Sequence, residues 1–458
     1  MNSRILIRGG CVLTLGAKSP NFTEADVLID SGRVAEVGPG LRARDAEVVD
    51  ARDTIVMPGF VDTHRHAWKS LFRNMGESAS DGEPHSQPTG AQAQPDMSAA
   101  LYGQHHQPDD VYAATLIGLL GAIEAGITTV VDWSDIQFDS RYTEAALQAH
   151  QDAGLRTVFV HALPHWAGRR DDAGAELRGL ATGRVAGGAD SPTTIAFGPS
   201  DPTRTDLDRA ANDWALARSL GLRIHTHAGS DRSDRGVISE VAGRGLLGAD
   251  VTLVHCSHLG DDDLDSIVAQ GASVSLAPST EMTDGLGSPP IQRLIDRGIR
   301  PGLGIDDERM SPGDMFAQMR AAISLQHAIL FDLKLAGKAG VPQLLSTREV
   351  IRYATVDGAR VAGLGGVTGS LEPGKQADII VLRTDRPNIF PINDPIGAVV
   401  WGMDTSNLDW VFAGGRVLMR SGVLEGDATR ARSLAMTAQR RVAAASGLLI
   451  GTSTGGAG

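Results

Sequence analysis

The chain has two cysteines in 458 residues, Cys11 and Cys256, far apart in sequence. They form no disulfide framework, and a reducing cytoplasm is the expected location. No apolar run approaches the ~20 residues that a membrane-spanning helix needs, so no membrane span is expected. The opening stretch "MNSRILIRGGCVLTLG" has no long apolar segment followed by a cleavage site, so no signal peptide is expected either. Positive charge is scarce. Lys and Arg total 42 against 55 Asp and Glu, a formal net charge of −13. A nucleic-acid surface needs clustered cations and is excluded on that balance. The hydrophobic content of 42% and charged content of 21% suit an ordinary globular protein. The length points to a large domain with a smaller one.

Residues 3–57 read as short strands broken by Gly and Asp-Ser-Gly turns. From residue 58 apolar strands alternate with amphipathic helical segments. The strands are "GFVDTH", "TTVVDW", "RTVFVHAL", "TTIAFGP", "GLRIHTH", "VTLVHC", "ASVSLAP" and "RPGLGID". Eight such units predict an α/β fold, a (β/α)8 barrel of the TIM type. The meander style returns after residue 366, so the two chain ends are expected to build a small β-sandwich domain beside the barrel. The expected divisions are 1–57 and 366–427 for the sandwich, 58–365 for the barrel, and 428–458 for a last helix and a disordered tail. Residues 76–108, rich in Gly, Ser, Gln and Pro, follow the first barrel strand and hang over its mouth, as a lid or as an inert insertion.

The chemistry is carried by histidines at strand ends. "PGFVDTHRH" ends in His64 and His66, which share a face because alternate residues of a strand point the same way. "RIHTH" ends in His225 and His227, "LVHC" contains His255, and "GLGIDD" ends in Asp306 and Asp307. Strand C-termini converge at the mouth of a (β/α)8 barrel. His64, His66, His227 and Asp306 then offer three nitrogens and a carboxylate, a donor set that suits Zn²⁺ or Fe²⁺ with an open position for water. Asp307 is a rival ligand. His225 reads as structural or as a neighbour of the ligands, His258 as a residue at a helix start, His105 and His106 as lid or surface residues, and Cys256 as a small buried hydrophobe.

These pieces, with "GITTVVDW", "HTHAGS", "VHCSHL", "PPIQRLIDRGIRPGLGID" and "GSLEPGKQADIIVL", resemble the amidohydrolase superfamily over nearly the whole chain. The resemblance is to its deaminase and chlorohydrolase branch, which includes cytosine, S-adenosylhomocysteine and guanine deaminases and the triazine hydrolases. It implies that His64, His66, His227 and Asp306 bind one divalent metal, with Zn²⁺ ahead of Fe²⁺. It also implies that His255 holds or polarises water or substrate, and that Asp306 passes the water's proton to the leaving group. Two-metal relatives bridge their ions with a carboxylated lysine. The five lysines here, Lys18, Lys69, Lys334, Lys338 and Lys375, include none at a central strand end. A single metal is expected.

One position departs from the family. Its deaminases read His-x-x-Glu after the fifth strand, where the glutamate is a general acid toward a ring nitrogen. Here the glutamate position is Ser230. Glu281, just past the seventh strand, is the replacement candidate, against a reading as a solvated loop residue. Trp133, His165 and Trp166 at other strand ends would line a pocket for a flat ring, with core packing as the alternative. The leading expectation is a metal-dependent hydrolase that deaminates a small amino-substituted N-heterocycle, with that heterocycle as its partner and a homo-oligomer as its assembly. The alternatives are a cyclic amide hydrolase, a hydrolytic dehalogenase or dealkylaminase, a lyase or decarboxylase, and a binding protein that has lost its chemistry.

Overall fold

The structure, a computed structural model, describes residues 4–17, 19–75, 102–164, 173–183, 191–203 and 205–447. The N-terminal strands are β1 (Arg4–Val12), β2 (Phe22–Asp30), β3 (Arg33–Gly38), β4 (Ala46–Asp50) and β5 (Thr54–Pro58). Eight parallel strands follow in sequential order: β6 (Phe60–Arg65), β7 (Ile127–Ser134), β8 (Arg156–Ala162), β9 (Thr193–Gly198), β10 (Arg223–Ala228), β11 (Val251–His255), β12 (Ser273–Leu276) and β13 (Gly302–Leu303). Each expected barrel strand is present, with its ends within a few residues of the reading from sequence.

The last strand is the shortest, and its following loop completes the ring. Ile305 and Asp306 donate their N–H groups to His64 O at 3.0 and 2.8 Å, and His66 N–H donates to Asp306 O at 2.8 Å. Glycine makes this approach possible. A Cβ on Gly304 would lie 2.9 Å from both the Cβ and the carbonyl oxygen of His64, closer than real contacts allow. The same hydrogen bonds that close the barrel therefore hold a candidate ligand of β13's end against two of β6.

Parity sorts the side chains. Val61, Val131, Trp133, Val158, Val160, Ala162 and Ala196 form one cluster inside the barrel, while Phe60, Val130 and Phe159 join the core beneath the outer helices. Those helices include α1 (Pro108–Glu124), α2 (Ser140–Ala153), α3 (Ala173–Thr182), α4 (Leu207–Ser219), α5 (Val237–Gly243), α6 (Asp261–Gln270) and α7 (Pro278–Thr283). Their ends follow local chemistry. Asp139 caps α2 by accepting from Arg141 N–H, and Gly154 closes it in the left-handed conformation.

The chain ends meet as the meander pattern implied. The C-terminal strands β14 (Ile379–Arg383), β15 (Leu408–Ala413), β16 (Arg416–Arg420) and β17 (Val423–Leu424) join β1–β5 in one nine-stranded mixed sheet. The seam is antiparallel pairing of β14 with β5. The sheet has its own apolar core, which includes Ile5, Val27, Ile29, Val56, Ile379 and Phe412. The helix Ala428–Ser446 then packs on α1, where Arg441 pairs with Asp110. Among the described residues no helix is long and apolar enough to cross a membrane.

Candidate metal centre

The ends of β6, β10, β11 and β13 bring five of the expected side chains together. His64 Nε2 lies 3.2 Å from His227 Nε2 and 3.5 Å from Asp306 Oδ1. His66 Nε2 lies 3.3 Å from the same oxygen, and His255 Nε2 lies 3.7 Å from Asp306 Oδ2. Ligand atoms of His64, His66 and Asp306 all fall within 4.8 Å of one another, as do those of His64, His227 and His255. Donors at ~2.0–2.1 Å around a tetrahedral ion sit about 3.3 Å apart, and the spacings within these groups suit a divalent cation.

Electrostatics agree with that fit. Burial pushes His64 down to about 4 and His227 well below the ordinary imidazole range, so both are neutral with a lone pair available. Burial alone would push Asp306 up. The hydrogen bond from His64 and the electrostatic attraction of the surrounding imidazoles, His64, His255 and His66, outweigh it and hold the carboxylate well below its usual range. The backbone is shaped for the task as well. His255 (φ 75°) and Asp306 (φ 67°) adopt the left-handed conformation, which side-chain-bearing residues rarely do. Such strain persists only where the surroundings enforce it, and functional sites are where it concentrates.

Glu281, on α7, is fully buried. Its Oε1 lies 3.1 Å from His255 Nδ1 and accepts the Ala277 N–H at 2.8 Å. Burial pushes the Glu281 carboxyl up. Burial would push His255 down, but its hydrogen bond to the Glu281 carboxylate and the charges of Asp306 and Glu281 overcome it and hold His255 up. Glu281 is therefore not on a solvated loop.

Trp133 is buried with its ring 4.5 Å from His227 and 6.0 Å from His64. Ser230 is half-buried just beyond β10. His165 and Trp166 lie outside the described residues, as do residues 76–101 of the loop after β6. Asp307 turns away from the cluster toward Arg309 Nε at 3.1 Å and Lys69 Nζ at 3.6 Å. His225 lies buried at the cluster's edge with neither ring nitrogen hydrogen-bonded, and burial pushes it down to about 3. Burial pushes the Cys256 thiol far up, which suits a packed residue and not a nucleophile. His106 is buried against Trp68, Phe72 and Tyr102.

The sequence reading passed over residues that hold the candidate ligands in place. Asp135, just past β7, has its Oδ1 at 3.1 Å from His66 Nδ1 and accepts from Trp68 Nε1 at 2.6 Å. Arg65, between the two histidines, is fully buried and joins Asp62 at 2.7 Å and Glu308 at 3.2 Å. A charged residue inside a buried strand was the available signal for Arg65. Asp135 stands among other polar residues after a strand and carried none.

The Amidohydrolase family pattern matches residues 55–418. A 5'-deoxyadenosine deaminase of Methanothermobacter thermautotrophicus is 31% identical over 93% of this chain and 95% of its own. A 5-methylthioadenosine/S-adenosylhomocysteine deaminase of Symbiobacterium thermophilum is 28% identical over 91% of this chain and 93% of its own. In structure the chain resembles an adenosine deaminase of Xanthomonas campestris with bound zinc, at a TM-score of 0.78 and 19% identity, covering 96% of this chain and 99% of that one. It also resembles atrazine chlorohydrolase of Arthrobacter aurescens TC1 complexed with zinc, at a TM-score of 0.78 and 21% identity, covering 95% and 100%. The barrel, the gathered histidines and aspartate, and a match that spans both sheet and barrel have one reading: the chain belongs to the Amidohydrolase family.

Proposed function

We propose that the protein is a metal-dependent deaminase that replaces the exocyclic amino group of an aminopurine nucleoside with oxygen and releases ammonia. The relatives named for 5'-deoxyadenosine and for methylthioadenosine or S-adenosylhomocysteine support this substrate class, since they match along more than nine-tenths of the chain. The reading is supported by two overlapping groups of donors that share His64, one with His66 and Asp306 and the other with His227 and His255. In this reading His64, His66, His227 and Asp306 would hold one divalent cation, with zinc ahead of iron(II) because the structural neighbours carry zinc. The ion supplies Lewis acidity, which makes water a competent nucleophile at neutral pH.

The chain's own groups do the proton work. Asp306 Oδ2, the oxygen turned to His255, accepts the proton that water loses and passes it to the departing amino group. His255 Nε2 gives a proton to the ring nitrogen as Nδ1 takes one from Glu281, and the relay reverses when the new hydroxyl gives its proton back to Nε2 and becomes the ring carbonyl. This pair takes the place of the glutamate absent at Ser230. Trp133, beside His227, forms an apolar wall, and Ser230 stands on the substrate side in this reading. Atoms balance: the amino substituent and one water give a ring carbonyl and ammonia. Cys11 and Cys256 are both free thiols, in keeping with a reducing cytoplasm, and a homo-oligomer is part of the same reading.

The test is ammonia release by zinc-loaded protein from 5'-deoxyadenosine, methylthioadenosine, S-adenosylhomocysteine, adenosine, cytosine and an aminotriazine, beside Asp306→Asn. Ammonia from a purine nucleoside that is lost in the variant is the expected result. No ammonia from protein holding one ion per chain overturns deamination and directs the search to ring amides and halides.

A further inference from the structure

Two carboxylates from the end of β7 reach across to the turn after β6. Asp132 Oδ1 accepts the Ala67 N–H at 3.0 Å, and its Oδ2 lies 2.7 Å from His150 Nε2 on α2. Asp132 therefore anchors backbone and the outer helix layer. Asp135 does something different, because it meets side chains. One oxygen serves both His66 Nδ1 and Trp68 Nε1, in a setting where Asp135 is 3% exposed and Trp68 0%. Trp68 is itself wedged against Tyr102 and His106 at 6.2 and 5.4 Å between ring centres. The carboxylate is thus held from one side by an indole that has little freedom to move.

We propose that Asp135 is the positioning residue that makes His66 a metal ligand. This rests on the metal reading given above. A neutral imidazole has one N–H and one lone pair, and the partner of one nitrogen decides which is which. A carboxylate only accepts. Asp135 therefore draws the N–H to Nδ1 and leaves the lone pair on Nε2, the nitrogen that faces Asp306 at 3.3 Å. Its charge also makes the ring a better donor. A role confined to anchoring Trp68 would need the indole contact alone and would leave His66 indifferent to the loss of the carboxylate.

The experiment is zinc titration against a competing chelator, with the visible spectrum of the cobalt(II)-substituted protein as second readout. It compares the native chain with Asp135→Ala, Asp135→Asn and Trp68→Phe. Loss of such a partner to a ligating histidine weakens metal binding about 10–100-fold, and that loss is expected for Asp135→Ala, with an altered cobalt spectrum. Asp135→Asn keeps an acceptor without the charge and falls between it and the native chain. Trp68→Phe removes the indole donor, keeps the carboxylate on His66 and stays close to native affinity. Native affinity in Asp135→Ala, or equal losses in Asp135→Ala and Trp68→Phe, overturns the inference alone. A native chain that binds no divalent ion overturns the metal reading and the inference with it. Should Asp135→Ala fail to fold, the other two variants decide: weaker binding by Asp135→Asn than by Trp68→Phe sustains the proposal, and equal binding overturns it.

Discussion

Glu281 Oε1 stands 3.1 Å from His255 Nδ1, while Glu281 Oε2 is buried with no hydrogen-bond partner among the described residues. A buried carboxylate with one unpaired oxygen is costly as an anion, and a proton shared with the imidazole relieves the cost. The pair is built to keep a proton beside Asp306.

Replacing Glu281 by Gln keeps the shape and an acceptor oxygen but removes the group that takes and returns a proton. General acid-base groups contribute about 10²–10⁴-fold to rate. Glu281→Gln is expected to lower kcat by about 10²-fold or more, with KM and metal content near native. Steady-state kinetics with metal analysis checks this. Native kcat in the variant would show that the proton reaches the ring by another route.

Metal removal is expected to cost stability as well as activity. An ion bound by the folded chain stabilises it by about 2.7 kcal/mol at a free concentration of 100 times its Kd. Chelator-treated protein should melt at lower temperature, and added zinc should restore both Tm and ammonia release. Calorimetry on the same sample before and after zinc decides it. Identical melting curves would show that the four donors do not bind the ion.

His106 gives a pH signature away from the metal cluster. Burial pushes it down to about 4, against an ordinary value of 6.5, with Nδ1 held at 3.1 Å from Tyr102 O. The folded value lies below the unfolded one, so the unfolded chain binds more protons between them. His106 therefore contributes full stability above the unfolded value, and loses it progressively as pH falls from 6.5 toward 4. The shift corresponds to roughly 3 kcal/mol at most. His106→Phe should flatten this part of the stability profile, read by urea unfolding at a series of pH values. Parallel profiles for native and variant would assign the acid sensitivity elsewhere.

The four gathered donors and the barrel were legible because both rest on local rules. A buried parallel strand reads as a short apolar run, and its last residues face the mouth. That geometry brings His64, His66, His225, His227, Asp306 and Asp307 to the mouth with no knowledge of distant contacts, and the family resemblance chose His227 and Asp306 among them. The pairing of Glu281 with His255 was not legible, since it depends on how α7 turns back across the end of β11. Asp135 was hidden for the same reason: its partners His66 and Trp68 lie more than sixty positions away. The seam of β5 with β14 joins residues over three hundred positions apart, and the strand pattern alone told only that both ends were strands. Long-range side-chain pairing is where local reasoning stops.

Arg65 shows what such pairing is worth. Its guanidinium is fully buried and meets Asp62 at 2.7 Å, Glu308 at 3.2 Å and the Gly313 carbonyl at 3.2 Å. Glu308 also accepts from Ser70 at 3.1 Å and pairs with Arg73, so one cation ties β6 to the loop that carries Asp306. Removing one partner of a buried charge pair leaves the other uncompensated, at a cost of about 3–5 kcal/mol. Burial already pushes Asp62 up to about 6 with Arg65 beside it. Arg65→Ala should therefore destabilise the fold by that amount, and Glu308→Gln by less, because Arg65 keeps Asp62. Urea unfolding of the metal-free proteins measures both. A loss in Arg65→Ala below about 1 kcal/mol, near the ordinary size for a surface change, would mean that water enters to solvate Asp62 and Glu308, and that the backbone hydrogen bonds to His64 and His66 hold the loop carrying Asp306 without it.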